Sequence, residues 1–239
     1  MNKKKLVSVL VAAGVAVSGG LVGASSVAAK KSSPPSCFPN CQGADLSNGS
    51  YKQLSLSNGD FSGSTFDGAS FYKSNLSGAN FGNARGDRSS SFTKANLTNA
   101  NFAGVSIQNK WSFDSSIFLK ANLTDANFTN AKLDQGISFL KATLNSANFT
   151  GAFLYYVNFK KTSATDVNFT NADLTQARLW KADFTGANFT NANLTRARFW
   201  KANLTNADLT GANLTKAKFT GVTFNNTTCP DGTVTNSGC

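Results

Sequence analysis

The sequence predicts a single all-β domain of stacked turns, a solenoid built from a five-residue repeat. From about Ala44 to Asn226 a Leu or Phe returns every five residues. Ala usually stands two places before it, and Asn or Asp one place before it. A fixed short period is the sequence signature of solenoids, in which each turn contacts only its neighbours.

The spacing within one unit predicts which side chains face the core. We call the Leu or Phe position the centre; most of the twenty Phe occupy it. In an extended backbone, residues two apart point the same way, so the Ala and the centre both face inward. Each unit then supplies two inward side chains and a corner, and four units close one turn.

Tandem units such as Ala187-Asn188-Phe189-Thr190-Asn191 resemble the pentapeptide repeat family, and the resemblance covers about 180 residues. It implies a right-handed quadrilateral β-helix of about eight to nine turns. The first face has centres such as Leu97 and Leu123, and the second has Phe102 and Phe128. The centres of the fourth face are residues 51, 71, 92, 118, 139, 159, 179, 199 and 219.

Breaks in the five-residue phase all fall at one corner, between the third and fourth faces. They lie at residues 86–90, 107–116 and 133–137. With the breaks at that corner, the units centred on Phe92, Phe118 and Phe139 align one turn apart. The longest break predicts a protruding loop at residues 108–114.

Residues 1–29 have the pattern of a secretory signal. Three Lys precede an apolar run, and Val27-Ala28-Ala29 fits the small-residue cleavage rule. The alternative, a membrane anchor, fits less well because the run is short for a span of ~20 apolar residues. Cleavage near Ala29 predicts export to the periplasm, the cell exterior or an organelle lumen. Removing the three Lys lowers the net charge from +11 to +8.

The four Cys flank the repeat. We predict a leader and N-terminal cap at residues 30–43, the solenoid at 44–226 and a C-terminal cap at 227–239. Two of the three possible pairings would span the whole rod, whereas disulfide-bonded Cα atoms lie within ~7 Å. The sequence therefore predicts the disulfides Cys37–Cys41 and Cys229–Cys239.

Composition argues against catalysis, cofactors and metal sites. The chain has no His, so it lacks an imidazole base or ligand. All twelve acidic residues are Asp, and five of them (Asp45, Asp60, Asp173, Asp183 and Asp208) precede a centre, where Asn is more common. That position therefore requires a side-chain oxygen rather than a charge, and capping of backbone donors explains it.

Lysines form a column on the outside of the fourth face, two places after the centre. Stacked like charges are mildly destabilising. The alternative to a binding role is a solvated face that discourages edge association. The lysine column consists of Lys73, Lys94, Lys120, Lys141, Lys161, Lys181 and Lys201.

Near the C-terminal end the same region gathers further cations and two Trp, which suits polyanions or stacked rings. We call this candidate binding site the basic strip. It comprises Tyr156, Lys160, Lys161, Arg178, Trp180, Lys181, Arg196, Arg198, Trp200, Lys201, Lys216 and Lys218.

These features predict a non-enzymatic exported binding or scaffold protein. Its partner would be an anionic polymer, a membrane surface or an acidic protein. The resemblance also suggests a rod that imitates DNA and binds DNA gyrase, but such rods are acidic and cytoplasmic. Thr columns on the first and second faces raise ice binding, and the charge allows direct nucleic-acid binding. An end-to-end homodimer is a further alternative if the C-terminal cap is incomplete.

Overall fold

The computed structural model describes residues 32–87, 89–108, 117–133 and 136–239, which form the stacked turns that the repeat predicts. The predicted signal at residues 1–29 and most of the predicted loop at 108–114 lie outside the described residues. Within the described ranges, no helix is long and apolar enough to cross a membrane.

Parallel β-bridges stack the turns in four columns, one for each face. On the second face the column runs from Asn40 to Thr228 through nine bridges between described residues. Uninterrupted turns pair residues twenty apart, as in Asn168 with Asn188, so four units make one turn. The predicted number of units per turn and of turns is confirmed.

One unit shows how the repeat satisfies its own backbone. In the unit at residues 126–130, three N–H groups bond to adjacent turns, one closes the corner, and one is capped by a side chain. The donations run from Ala126 to Leu123 O (3.1 Å), Asn127 to Ala100 O (2.9 Å), Phe128 to Asn148 O (2.6 Å), Thr129 to Asn127 Oδ1 (3.0 Å) and Asn130 to Thr150 O (2.9 Å). In this unit the residue before the centre therefore supplies a side-chain oxygen, because the fifth N–H has no backbone acceptor.

The breaks lengthen the third face. The strands β1 (Arg85–Asp87), β2 (Ser106–Gln108) and β3 (Lys132–Leu133) pair in parallel in that order. Beyond the breaks the fourth face resumes in register, because Phe92 N–H donates to Ile117 O and Phe118 N–H to Ser138 O. The prediction that the breaks share one corner is confirmed.

Phenylalanine stacks fill the core on two opposite faces. On the second face, rings from Phe61 to Phe189 stack turn on turn with centroids 4.7 to 5.2 Å apart. A second stack on the fourth face runs from Phe71 to Phe159 and meets the first edge-to-face. The inward Ala residues are buried between them. Alternating stacked and edge-to-face contacts are the favoured aromatic geometries.

Disulfide-bonded caps close both ends. Cys37 pairs with Cys41 and Cys229 with Cys239, with Cα atoms 4.9 and 5.3 Å apart, as predicted. At the C-terminal end, β4 (Thr227–Thr228) and β5 (Val234–Thr235) form an antiparallel pair. Side chains of the last turn, such as Phe219 and Phe224, remain only partly buried. End-to-end dimerisation stays a prediction.

Replacing Phe128 by Ala should lower the free energy of unfolding by ~3–5 kcal/mol, because a cavity opens in both stacks. The ring lies 4.9 Å from Phe102 and 4.7 Å from Phe149 between centroids. Phe128→Leu, which keeps a residue type of the repeat, should cost under ~1.5 kcal/mol. Urea unfolding monitored by circular dichroism measures both. Equal losses in the two variants would show that loss of the ring, and not the size of the cavity, sets the cost.

Candidate functional site

The basic strip extends from the corner that holds the breaks across the fourth face, in the C-terminal turns where no insertion interrupts the repeat. Arg178, Arg198 and Lys218 precede successive fourth-face centres, and bridges pair them turn on turn. Arg196 and Lys216 end the neighbouring third-face units, two places before Arg198 and Lys218. Two columns of cations therefore run side by side along the corner.

Between these columns lies a groove of about 370 Å³. Among the described residues no aspartate forms an ion pair with any of its cations. The groove therefore presents uncompensated positive charge to the solvent. It is lined by Tyr156, Gln176, Arg178, Arg196, Arg198, Lys216 and Lys218.

Trp180 and Trp200 form a second, more apolar cleft beside the groove. Their rings meet edge-to-face at 86°, with centroids 6.5 Å apart. The cleft, of about 230 Å³, shares Arg198 and Lys218 with the groove. Trp200 is 38% exposed, so the indole pair is accessible from solvent.

Lysine ammonium groups already lie over these indole rings. Lys181 Nζ and Lys201 Nζ are 4.9 and 5.0 Å from the Trp200 centroid, and Lys160 Nζ is 5.5 Å from that of Trp180. Cation–π contacts of this kind are worth ~0.5–1 kcal/mol at exposed sites. The indoles thus position the lysines of the strip. They do not form a parallel stacking platform.

Tyr155 contacts Gln176, which lines the groove. Its hydroxyl accepts a hydrogen bond from Gln176 Nε2 at 3.2 Å. A hydrogen bond to Tyr156 and partial desolvation raise the pKa of the Tyr155 phenol, so it stays neutral at physiological pH. Tyr155 adds no negative charge beside the cations.

The lysine column has an unusual backbone conformation. All seven residues have φ between 53° and 59°, in the left-handed region that L side chains other than Asn and Asp rarely adopt. At the equivalent corner of the first and second faces, every described residue is Gly, Asn, Asp or Ser. Some of these glycines also avoid a close contact: a Cβ added at Gly104 would lie 2.3 Å from Asn83 Oδ1 of the adjacent turn.

The structure brings most of the predicted strip into two adjoining clusters. The groove gathers Tyr156, the three Arg, Lys216 and Lys218. The indole cluster gathers Lys160, Trp180, Lys181, Trp200 and Lys201. Lys161 lines neither, although its N–H donates to Trp180 O at 2.9 Å and so keeps it in the lysine column.

Sequence reasoning missed Gln176, Thr220 and Phe153. Gln176 lines the groove and Thr220 lines the cleft. Both belong to the same columns as predicted residues of the strip, and this was the signal available in the sequence. Phe153 is 52% exposed on the third face, beside a recess of about 310 Å³ that Tyr155 also lines. It is a Phe outside the centre position, which is the sequence sign of an outward ring.

The threonine columns and the acidic residues fit a functional site less well than the basic strip does. The Thr hydroxyls of the second face, such as those of Thr129 and Thr150, donate to the Asn Oδ1 of their own unit at 2.6 and 2.7 Å. Their protons are therefore engaged within the protein and are not free to order water, which disfavours the ice-binding alternative. In the described part of the chain, no cluster of His, Cys, Asp or Glu has the arrangement of a metal site.

A family model described as pentapeptide repeats matches the chain in eight copies, at residues 40–83, 112–137, 121–160, 154–191 and 187–226. None of the curated proteins compared with the sequence matches it.

Solved structures with a similar fold include pentapeptide repeat proteins of different settings. HetL, involved in heterocyst differentiation regulation in the cyanobacterium Nostoc sp. strain PCC 7120, is 22% identical, covers 82% of this chain and 94% of its own, and has a TM-score of 0.48. A trypsin-treated form of QnrB1, a plasmid-mediated fluoroquinolone resistance protein, is 17% identical, with coverages of 76% and 83% and a TM-score of 0.36. A protein of the Arabidopsis thaliana thylakoid lumen is 21% identical, with coverages of 64% and 66% and a TM-score of 0.15.

Replacing Lys120 by Asn should raise the free energy of unfolding by about 0.5–1 kcal/mol, because Asn tolerates the left-handed conformation and two like-charge contacts disappear. The reverse change on the second face, Asn130→Lys, should lower it by a similar amount. Thermal unfolding of the two variants measures both effects. A less stable Lys120→Asn variant would show that packing of the lysine stem outweighs the backbone strain.

Proposed function

The chain belongs to the pentapeptide repeat family, whose fold is a right-handed quadrilateral β-helix, and on that premise we propose that it is a non-enzymatic exported binding protein. The basic strip is its contact surface. The partner presents negative charge, as a cell-wall polymer, lipopolysaccharide, an anionic membrane or an acidic protein does.

One observation carries the proposal: five cations line a single groove without a described ion pair. The groove collects Arg178, Arg196, Arg198, Lys216 and Lys218 from three consecutive turns. Cations that converge without counter-charge raise the local concentration of anions and favour their association. Arg also supplies planar donors that match carboxylate and phosphate groups in pairs.

The environment of the Asp residues supports a binding role rather than a catalytic one. Asp60 Oδ1, for example, accepts the Ser62 N–H at 3.0 Å and Asn80 Nδ2 at 3.1 Å. The hydrogen bonds from Ser62 lower the pKa of the Asp60 carboxyl, which suits a structural acceptor and not a proton donor. The chain has no His, the side chain whose ordinary pKa lies near neutral pH.

Two disulfides agree with an oxidising compartment, where such bonds form and persist. Export itself rests on the sequence pattern of residues 1–29. The charge disfavours the gyrase-binding alternative, since a net charge of +11 is opposite to that of a DNA mimic.

The test replaces Arg178, Trp180, Arg198 and Trp200 together by Ser in residues 30–239. The variant should remain folded, because these side chains point outward and single surface changes cost within ~0.5 kcal/mol each. Retention of the wild type on anionic liposomes, wall polymer, lipopolysaccharide and DNA is compared with that of the variant. We expect retention that persists at ~0.15 M salt in the wild type and is lost in the variant.

A matched control removes two cations and one exposed aromatic ring elsewhere, as Arg85→Ser, Lys132→Ser and Phe153→Ser. It should keep most of the retention. Equal, salt-sensitive loss in both variants would reduce the basic strip to generic charge and contradict the proposal. Unfolding of the first variant would show that its side chains are structural.

A further inference from the structure

We propose that the lysine column binds a linear acidic polysaccharide laid along the rod, with one sugar carboxylate facing each turn. This inference rests on the proposed function and deepens it by naming the chemistry of the ligand. It also extends the contact surface from the basic strip into the N-terminal half, to Lys73, Lys94, Lys120 and Lys141.

The backbone fixes the register of the column. Each lysine N–H donates to the carbonyl of the residue that precedes the next lysine. The acceptors, in order from Lys73 to Lys181, are the carbonyls of Thr93, Leu119, Leu140, Lys160, Trp180 and Trp200, at 2.9 to 3.1 Å. The seven lysines therefore repeat once per strand spacing, ~4.8 Å, over a length of roughly 29 Å.

Backbone preference does not explain lysine at these positions. The described corners of the first and second faces use Gly, Asn, Asp or Ser where φ is positive, whereas this corner has lysine in seven consecutive turns. Local strain that persists in this way is typical of functional positions. The column also accumulates like-charge contacts that Asn would avoid.

Nothing on the fourth face neutralises the column. None of the twelve Asp residues lies within two positions of a fourth-face centre. All seven lysines are exposed, and no aspartate forms an ion pair with any of them among the described residues. A single row of unpaired cations with a fixed repeat is complementary to a row of anions with the same repeat.

The repeat distinguishes between classes of polyanion. Duplex DNA carries one charge per ~1.7 Å of its axis, about three times denser than the column. Single-stranded nucleic acid binds through rings on which successive bases stack. Here Trp180 and Trp200 meet edge-to-face, and the ring of Trp200 lies between two lysine ammonium groups.

A uronic acid polymer fits these constraints better. It carries one carboxylate per sugar, and one sugar with its linkage is about as long as one strand spacing. The positions beside the lysines include Leu119 and Leu140, both partly exposed, which offer apolar contact for the C–H faces of sugar rings. Charge and surface together favour this class.

The experiment measures binding of oligogalacturonates to residues 30–239 by titration calorimetry. Affinity should rise from the trimer to the heptamer, because seven sugars match the seven lysines. Longer oligomers should bind with no further gain in affinity per site. The column variant carries Lys94→Asn, Lys120→Asn and Lys141→Asn, all outside the basic strip. It should stay folded with an unchanged or higher Tm and bind the heptamer about tenfold more weakly, as three exposed ion pairs predict.

A control variant of equal charge change carries Lys52→Asn, Arg85→Asn and Lys132→Asn. It should lose about twofold or less, because its cations lie outside the column. Equal losses in the two variants would overturn the inference, as would tighter binding of single-stranded DNA of the same charge number. Binding that survives in the column variant but is lost in the Arg178/Trp180/Arg198/Trp200 variant would keep the proposed function and refute the column. The opposite result would refute the basic strip and leave the column.

The pH dependence identifies the contacting group. The chain has no His, so no imidazole of the protein changes charge between about pH 5 and pH 9. Affinity for oligogalacturonate should therefore fall only as pH drops through the pKa of the sugar carboxyl. A sulfated oligosaccharide of the same length, whose sulfate groups stay ionised, should keep its affinity as pH drops through that pKa. A loss of affinity for both ligands at the same pH would contradict carboxylate contact.

Discussion

The structure depends on one constraint: each turn must hydrogen-bond in register with the turns on both sides of it. Three of the five N–H groups in a unit bond between turns, so a shift by one residue would misalign every inward side chain. The insertions are accommodated because they all lie at one corner, where β1, β2 and β3 lengthen a face before the register resumes. Register also converts each sequence position into a column, so that the sequence of one position specifies one line of the surface.

The faces differ in how well the residues of their columns suit the local backbone conformation. On the first and second faces, Asn and Asp oxygens cap backbone donors and Gly, Asn, Asp or Ser occupies the left-handed corner, so local preference and fold largely agree. On the fourth face the corner lysines oppose local preference while the Phe stack beneath them is regular. Disagreement confined to the surface of an otherwise regular element points to selection for something other than stability.

The architecture could be predicted from the sequence because the repeat assigns each residue to a position within a turn. The four faces are what the family resemblance implies, whereas the corner that holds the breaks and both disulfides follow from the spacing of residues in the sequence; the structure agrees with all three. The candidate site was less accessible. That Lys181 and Lys201 lie on either side of Trp200, or that Gln176 completes the groove, depends on side-chain rotamers that the repeat leaves undetermined. Phe153 was missed because the count assigned Phe to the core, although its phase is outward.

Because each turn contacts only its neighbours, a segment of twenty residues can be duplicated or deleted as one unit. Duplication or deletion of one uninterrupted turn, such as residues 162–181, would leave the remaining bridges and Phe contacts intact. Such an event would change the number of stacked lysines by one while preserving their separation. Under the proposed binding role, rods of different length would therefore differ in the number of lysines that contact the ligand and not in the spacing between them.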